Sequence, residues 1–104
     1  MQKWQYGELG KKRKKVDHEA LQSPFNRIPG MNTDSVRDLL DIGLLDVDEL
    51  RGRSPEALYE EIKAIKPKTP SDRLAYLRMC VYYAETENPD PQLLEAWKWS
   101  HSSF

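Results

Sequence analysis

Ile28-Pro29-Gly30-Met31-Asn32, followed by Thr33-Asp34-Ser35-Val36-Arg37-Asp38-Leu39-Leu40, decides the reading of this chain. Proline fixes one backbone angle and glycine accepts angles that other residues resist, so the two together make a tight turn. The turn feeds a helix, because Val36, Leu39 and Leu40 recur at helical spacing behind a capping residue, Asn32 or Thr33. Such a junction leaves backbone N–H groups without intrahelical partners at the positive end of a helix dipole. Those donors suit a phosphate oxygen.

Upstream of the turn, residues 1–16 read as a flexible basic arm. Gly7 and Gly10 punctuate it, and the run Lys11-Lys12-Arg13-Lys14-Lys15 repels itself into an extended form. Asp17 begins the folded part, residues 17–104, as the cap of a helix with Ala20, Leu21 and Phe25 that Pro24 shortens or kinks.

Downstream, Ile42 completes the apolar set of the helix after the turn, and Gly43 stops that helix. Asp46 caps a short turn with Val47 and Leu50. Ser54-Pro55 opens a helix striped by Leu58, Ile62 and Ile65, which Pro67 ends. Thr69 and Asp72 have the spacing of a capping-box variant before the longest helix. There Leu74, Leu77, Val81 and Ala84 form one stripe beside Tyr76, Cys80 and Tyr83, so much of the circumference is buried. Asn88-Pro89 breaks that helix, and Asp90 caps a last one with Leu93, Leu94 and Trp97. Alternation of period two is absent, so the expected class is all-α, with about five or six short helices.

A weak internal repeat relates Leu21, Phe25 and Ile28 to Leu58, Ile62 and Ile65. The second set leads into Lys66-Pro67-Lys68-Thr69-Pro70-Ser71, where a second hairpin would stand. That turn has no glycine, and two prolines remove backbone donors from it.

Composition bounds the function. The 104 residues are 38% hydrophobic and 32% charged, enough for one domain with a small core. No apolar run approaches the roughly 18 residues of a membrane span, and no secretory h-region follows the first charges. One cysteine, Cys80, excludes an internal disulfide framework, so a reducing cytoplasm is the expected compartment. The formal charge of −1 hides an asymmetry. Residues 1–30 hold seven bases and three acids, whereas the remainder holds nine bases and fourteen acids. An acidic body weakens any case for tight, autonomous DNA binding.

The stretch from Leu21 to Leu50 resembles the helix-hairpin-helix motif of nucleic-acid-binding proteins. Ile28-Pro29-Gly30 fits the hairpin, and Val36, Leu39 and Gly43 fit the second helix. The resemblance implies a SAM-like helix-hairpin-helix domain with a degenerate second hairpin. The departure is Asn32, where the motif has a second glycine; asparagine is the non-glycine residue that best accepts a left-handed backbone. A wider resemblance runs through Asp48-Glu49-Leu50-Arg51-Gly52, Pro55-Glu56-Ala57-Leu58-Tyr59 and the stretch from Ala84 to Pro91. It is to the small bacterial "pathogenicity locus" proteins. That resemblance implies a stand-alone domain of bacterial origin and no substrate.

The candidate nucleic-acid contacts are therefore the N–H groups around Gly30, Met31, Asn32 and Thr33, with charge from Arg27, Arg37 and Lys11, Lys12, Arg13, Lys14 and Lys15. Trp4 and Tyr6 of the arm are placed to stack on exposed bases. A monovalent cation at the hairpin is the one ion the pattern admits; no other cofactor is implied. Asp34, Asp38 and Asp41 on the following helix oppose a phosphate. Arg51 and Arg53 flank Gly52 as solvated turn residues. Cys80 lies on an apolar face as an inert thiol, and His18 and His101 lack ligand-like neighbours. No catalytic constellation is present, so the expectation is a non-enzymatic module that touches DNA weakly through backbone phosphates. The alternative is a protein-interaction module with the hairpin as scaffold. In that case Trp97 packs in the core and Trp99 faces outward as the partner anchor.

Overall fold

The computed structural model describes residues 16–100. Four α-helices occur in this span: α1 (His18–Leu21), α2 (Thr33–Asp41), α3 (Pro55–Ile65) and α4 (Arg73–Glu85). Short 3₁₀ turns at Pro24–Arg27, Val47–Leu50, Pro91–Leu93 and Ala96–Trp99 join or follow them. No strand is present among the described residues. The helix count is lower than the sequence suggests because prolines divide the shorter segments. Pro24 ends the first segment after one turn of α-helix, and Pro91 confines the last one to two 3₁₀ turns.

The helix ends obey local chemistry. Asp17 accepts from the Ala20 N–H at 3.1 Å, and Ser54 accepts from Ala57 N–H at 3.2 Å with Pro55 at the first helical position. Asn32 caps α2, its Oδ1 accepting from Ser35 N–H at 2.8 Å. The same residue is extended, with φ −111°, so it does not take the left-handed conformation expected of it. A cap needs an extended backbone, and the cap role has prevailed. Gly43, at φ +94°, closes α2 with a Schellman pair: Leu44 N–H donates to Leu39 C=O at 3.1 Å and Gly43 N–H to Leu40 C=O at 3.0 Å. Asp46 and Glu49 form a reciprocal capping box. The expected box at α4 does not form. Asp72 makes no side-chain cap, and Thr69 Oγ1 instead donates back to the Lys66 carbonyl at 2.6 Å.

The core gathers Phe25, Ile28, Val36, Leu39, Leu50, Leu58, Ile62, Leu77, Met79 and Cys80, each with no more than 1% of its surface exposed. Burial of each large apolar side chain is worth about 1.5–3 kcal/mol. Helix α4 is the central element: it packs on α2, α3, the Val47–Leu50 turn and the Ala96–Trp99 turn. Its buried set, Ala75, Leu77, Met79, Cys80 and Val81, leaves no polar face of ordinary width. Burial pushes the Cys80 thiol up to about 12, which keeps it protonated and inert.

The apparent repeat is not reproduced in burial. Phe25 and Ile28 are buried while Leu21 is exposed; in the second set Leu58 and Ile62 are buried while Ile65 is exposed. The exposed member sits at opposite ends because the first set spans a helix break and the second is one continuous helix.

Candidate nucleic-acid interface

Gly30 stands at φ +85°, a region that only glycine enters freely. The turn is closed by Met31 N–H donating to the Ile28 carbonyl at 3.3 Å. Ile28 is buried, and Met31 packs partly against the core. The N–H groups of Gly30, Asn32, Thr33 and Asp34 make no hydrogen bond among the described residues. Gly30, Thr33 and Asp34 are exposed, so three of these donors lie in an outer segment. They open a nine-residue helix whose dipole is positive at this end.

The second reason for glycine here comes from within the chain. A Cβ at Gly30 would stand 2.4 Å from the Leu94 carbonyl oxygen and 3.2 Å from Met79 Sδ. The segment after α4 therefore lies directly against the hairpin. It is fastened by Trp99, which is 6% exposed, donates its Nε1–H to Leu93 C=O at 2.7 Å and packs its ring 5.2 Å from that of Tyr82. Arg78 donates to the Trp99 carbonyl at 2.7 Å, and Tyr82 Oη accepts from Asp90 N–H at 2.9 Å.

Trp99 is thus a buried strut and not the outward anchor expected; Trp97, expected in the core, is 69% exposed. The reversal follows from 3₁₀ geometry. In the Ala96–Trp99 turn, residues three apart share a face, so Ala96 and Trp99 pack on the core together and Trp97 is left outside.

The expected cations fare unequally. Arg27 is exposed and within 3.2 Å of Asp46. Arg37 is engaged by Asp17 at 3.1 Å, Glu19 at 3.0 Å and Asp41 at 3.0 Å. Its hydrogen bond to Glu19, then those carboxylates of Asp17 and Asp41, hold it above its already high ordinary pKa. Arg37 therefore binds α1 to α2 and brings little free charge to the hairpin. Arg53 is paired with Glu61, and the N–H of Gly52 donates to Glu85 at 2.7 Å. Lys11, Lys12, Arg13, Lys14 and Lys15 lie outside the described residues, as do Trp4, Tyr6 and His101.

Two of the three acids of α2 are committed to bases within the chain. Asp38 is buried and receives Arg73 Nε–H at 2.6 Å and Lys66 Nζ at 2.7 Å. Arg73 also donates to Ser35 Oγ at 3.3 Å. Lys66 reaches Asp41 at 2.6 Å. Only Asp34 of the three makes no ion pair among the described residues. This network is not legible in the sequence: the second turn reads there only as a glycine-free, degenerate hairpin, whereas its Lys66 ties α3 to α2. The available signal was Asp38 itself, three residues after Ser35 and beside Leu39 on a face that must be buried.

Among the described residues, no group of three or more His, Cys, Asp or Glu is placed to hold a metal ion, and no helix is long and apolar enough to cross a membrane.

An all-helical fold with an exposed proline-glycine turn, braced by a C-terminal segment, defines the class. Within it the chain belongs to the pathogenicity locus family, whose model matches residues 18–103. No curated protein and no solved structure matches the chain.

Proposed function

We propose that this is a helix-hairpin-helix protein of SAM-like type, a small non-enzymatic module that touches DNA through backbone phosphates with little sequence preference. The bacterial cytoplasm is the compartment that this reading assigns. One observation carries it: the N–H groups of Gly30, Asn32, Thr33 and Asp34 are without partners among the described residues at the start of α2. Unpaired donors at a helix N-terminus favour an anion, and phosphate contacts give affinity without reading bases. The charge of Arg27 and the basic run 11–15 supply the attraction. Asp34 in the first turn and the commitment of Arg37 to carboxylates keep the affinity low.

Counterion release then sets the signature. Titration of a labelled short duplex should show affinity falling steeply with salt, with a log–log slope of about −0.9 per phosphate contacted. Replacing the five bases of 11–15 by glutamine should flatten that slope. Absence of binding at low salt would sink the reading.

The second reading is a protein-interaction module in which the hairpin is scaffold. The exposure of Trp97 favours it, because large exposed aromatics anchor partners. Co-purification from the native host discriminates: this reading requires a specific partner that Trp97→Ala loses while the fold is retained.

A further inference from the structure

Trp97 is 69% exposed, and two of its neighbours engage its ring. Its Nε1–H donates to Glu95 Oε1 at 2.7 Å, and the Lys98 ammonium lies 5.4 Å from its ring centroid. Lys98 is itself fixed by donating to the Gln92 carbonyl at 2.6 Å. An aromatic ring with its edge pinned by a carboxylate and a cation above it is pre-organised for a flat ligand that carries negative charge nearby.

Its place in the fold gives the ligand. Leu94, three residues earlier, has its carbonyl against Gly30 of the hairpin. Three residues of chain span at most about 10 Å, so the Trp97 backbone stands within that distance of Leu94. A phosphate-facing turn and a stacking ring thus share one neighbourhood. Duplex bases are stacked on one another and must be unstacked, at a cost, before a side chain meets their faces, whereas a single strand offers each base as a π-face and each link as a phosphate.

We propose that Trp97 is a base-stacking platform and that the preferred ligand of the hairpin is single-stranded DNA. The inference rests on the DNA reading above and adds to it the form of strand taken. Trp97 supplies the stacking, Lys98 the nearby charge, and the hairpin N–H groups a neighbouring phosphate. Glu95 orients the ring, and its own charge limits the gain.

The full chain is titrated at low salt with a labelled mixed-sequence single strand and, separately, with the same sequence as duplex. The expected result is tighter binding of the single strand, and a loss of about tenfold in that affinity for Trp97→Ala with the duplex affinity unchanged. Trp97→Phe should restore most of the loss, because a smaller ring still stacks. If both forms bind and Trp97→Ala leaves the single-strand affinity intact, or weakens both forms equally, the stacking role is overturned and the phosphate reading stands. If neither form binds, both fall together.

Discussion

Gly30 and Gly43 both hold backbones that side chains avoid, but the space around them differs. A Cβ at Gly43 meets nothing within 4 Å, whereas at Gly30 it meets the Leu94 carbonyl at 2.4 Å. Alanine at 43 carries only the left-handed penalty of about 1–2 kcal/mol. Alanine at 30 adds a collision with backbone, which cannot rotate away, so its cost should reach roughly 3 kcal/mol or more. Urea denaturation of the two variants checks the order, and equal losses would refute the close approach. The need for glycine at 30 was legible from Pro29-Gly30. What lies against it was not, because Leu94 is remote in sequence and no local pattern links the two. Asn32 teaches a related lesson. A residue with two common uses, left-handed turn and helix cap, is assigned by its neighbours, and the helix that begins at Thr33 made it a cap.

The elements were read best where their signals are local. Ser54-Pro55, Gly43 and the Asp46 cap appear as spacing and chemistry alone, and each stands where spacing puts it. The segment after α4 was read worst. Its 3₁₀ turns exchange the roles of Trp97 and Trp99, a choice set by packing on Tyr82 and Arg78. That exchange has an energetic consequence. Trp99→Ala should destabilise the protein by about 3–5 kcal/mol, the usual cost of emptying a buried aromatic site. Trp97→Ala should stay within about 0.5 kcal/mol, as surface substitutions do. Thermal or urea unfolding distinguishes them, and a large loss at 97 with none at 99 would reverse the assignment of the two rings.

At the scale of the molecule, the acidic body is less a repulsive field than a set of ties. Asp38 and Asp41 hold Lys66 and Arg73, so α2, α3 and the start of α4 are joined by charge as well as by apolar packing. Composition gave the number of acids and could not say which of them are neutralised. Partial burial works to raise the Asp41 pKa, but Lys66 and then Arg37 outweigh it and hold the carboxyl below its ordinary range. Desolvation pulls Lys66 down, but the hydrogen bonds and charges of Asp38 and Asp41 outweigh it and raise the ammonium. A lowered carboxyl stabilises the fold above its unfolded pKa of about 3.9 and loses that contribution as pH falls through the lower folded value. A raised ammonium stabilises below about 10.4 and loses its contribution as pH rises through the higher folded value. Stability measured by urea unfolding should therefore be level near neutrality and decline at both extremes. Asp41→Asn should soften the acid decline, and Lys66→Met the alkaline one. Unchanged limbs would refute the ties.

The contact between Gly30 and Leu94 also bears on how the chain matures. A turn made early in synthesis is braced by a segment made after α4, fastened only when Trp99 has left the ribosome. Until then the turn lacks its brace, and the core side of α4 has no cover from that segment. A nascent chain stalled short of Trp99 should be prey to proteases that spare the finished protein.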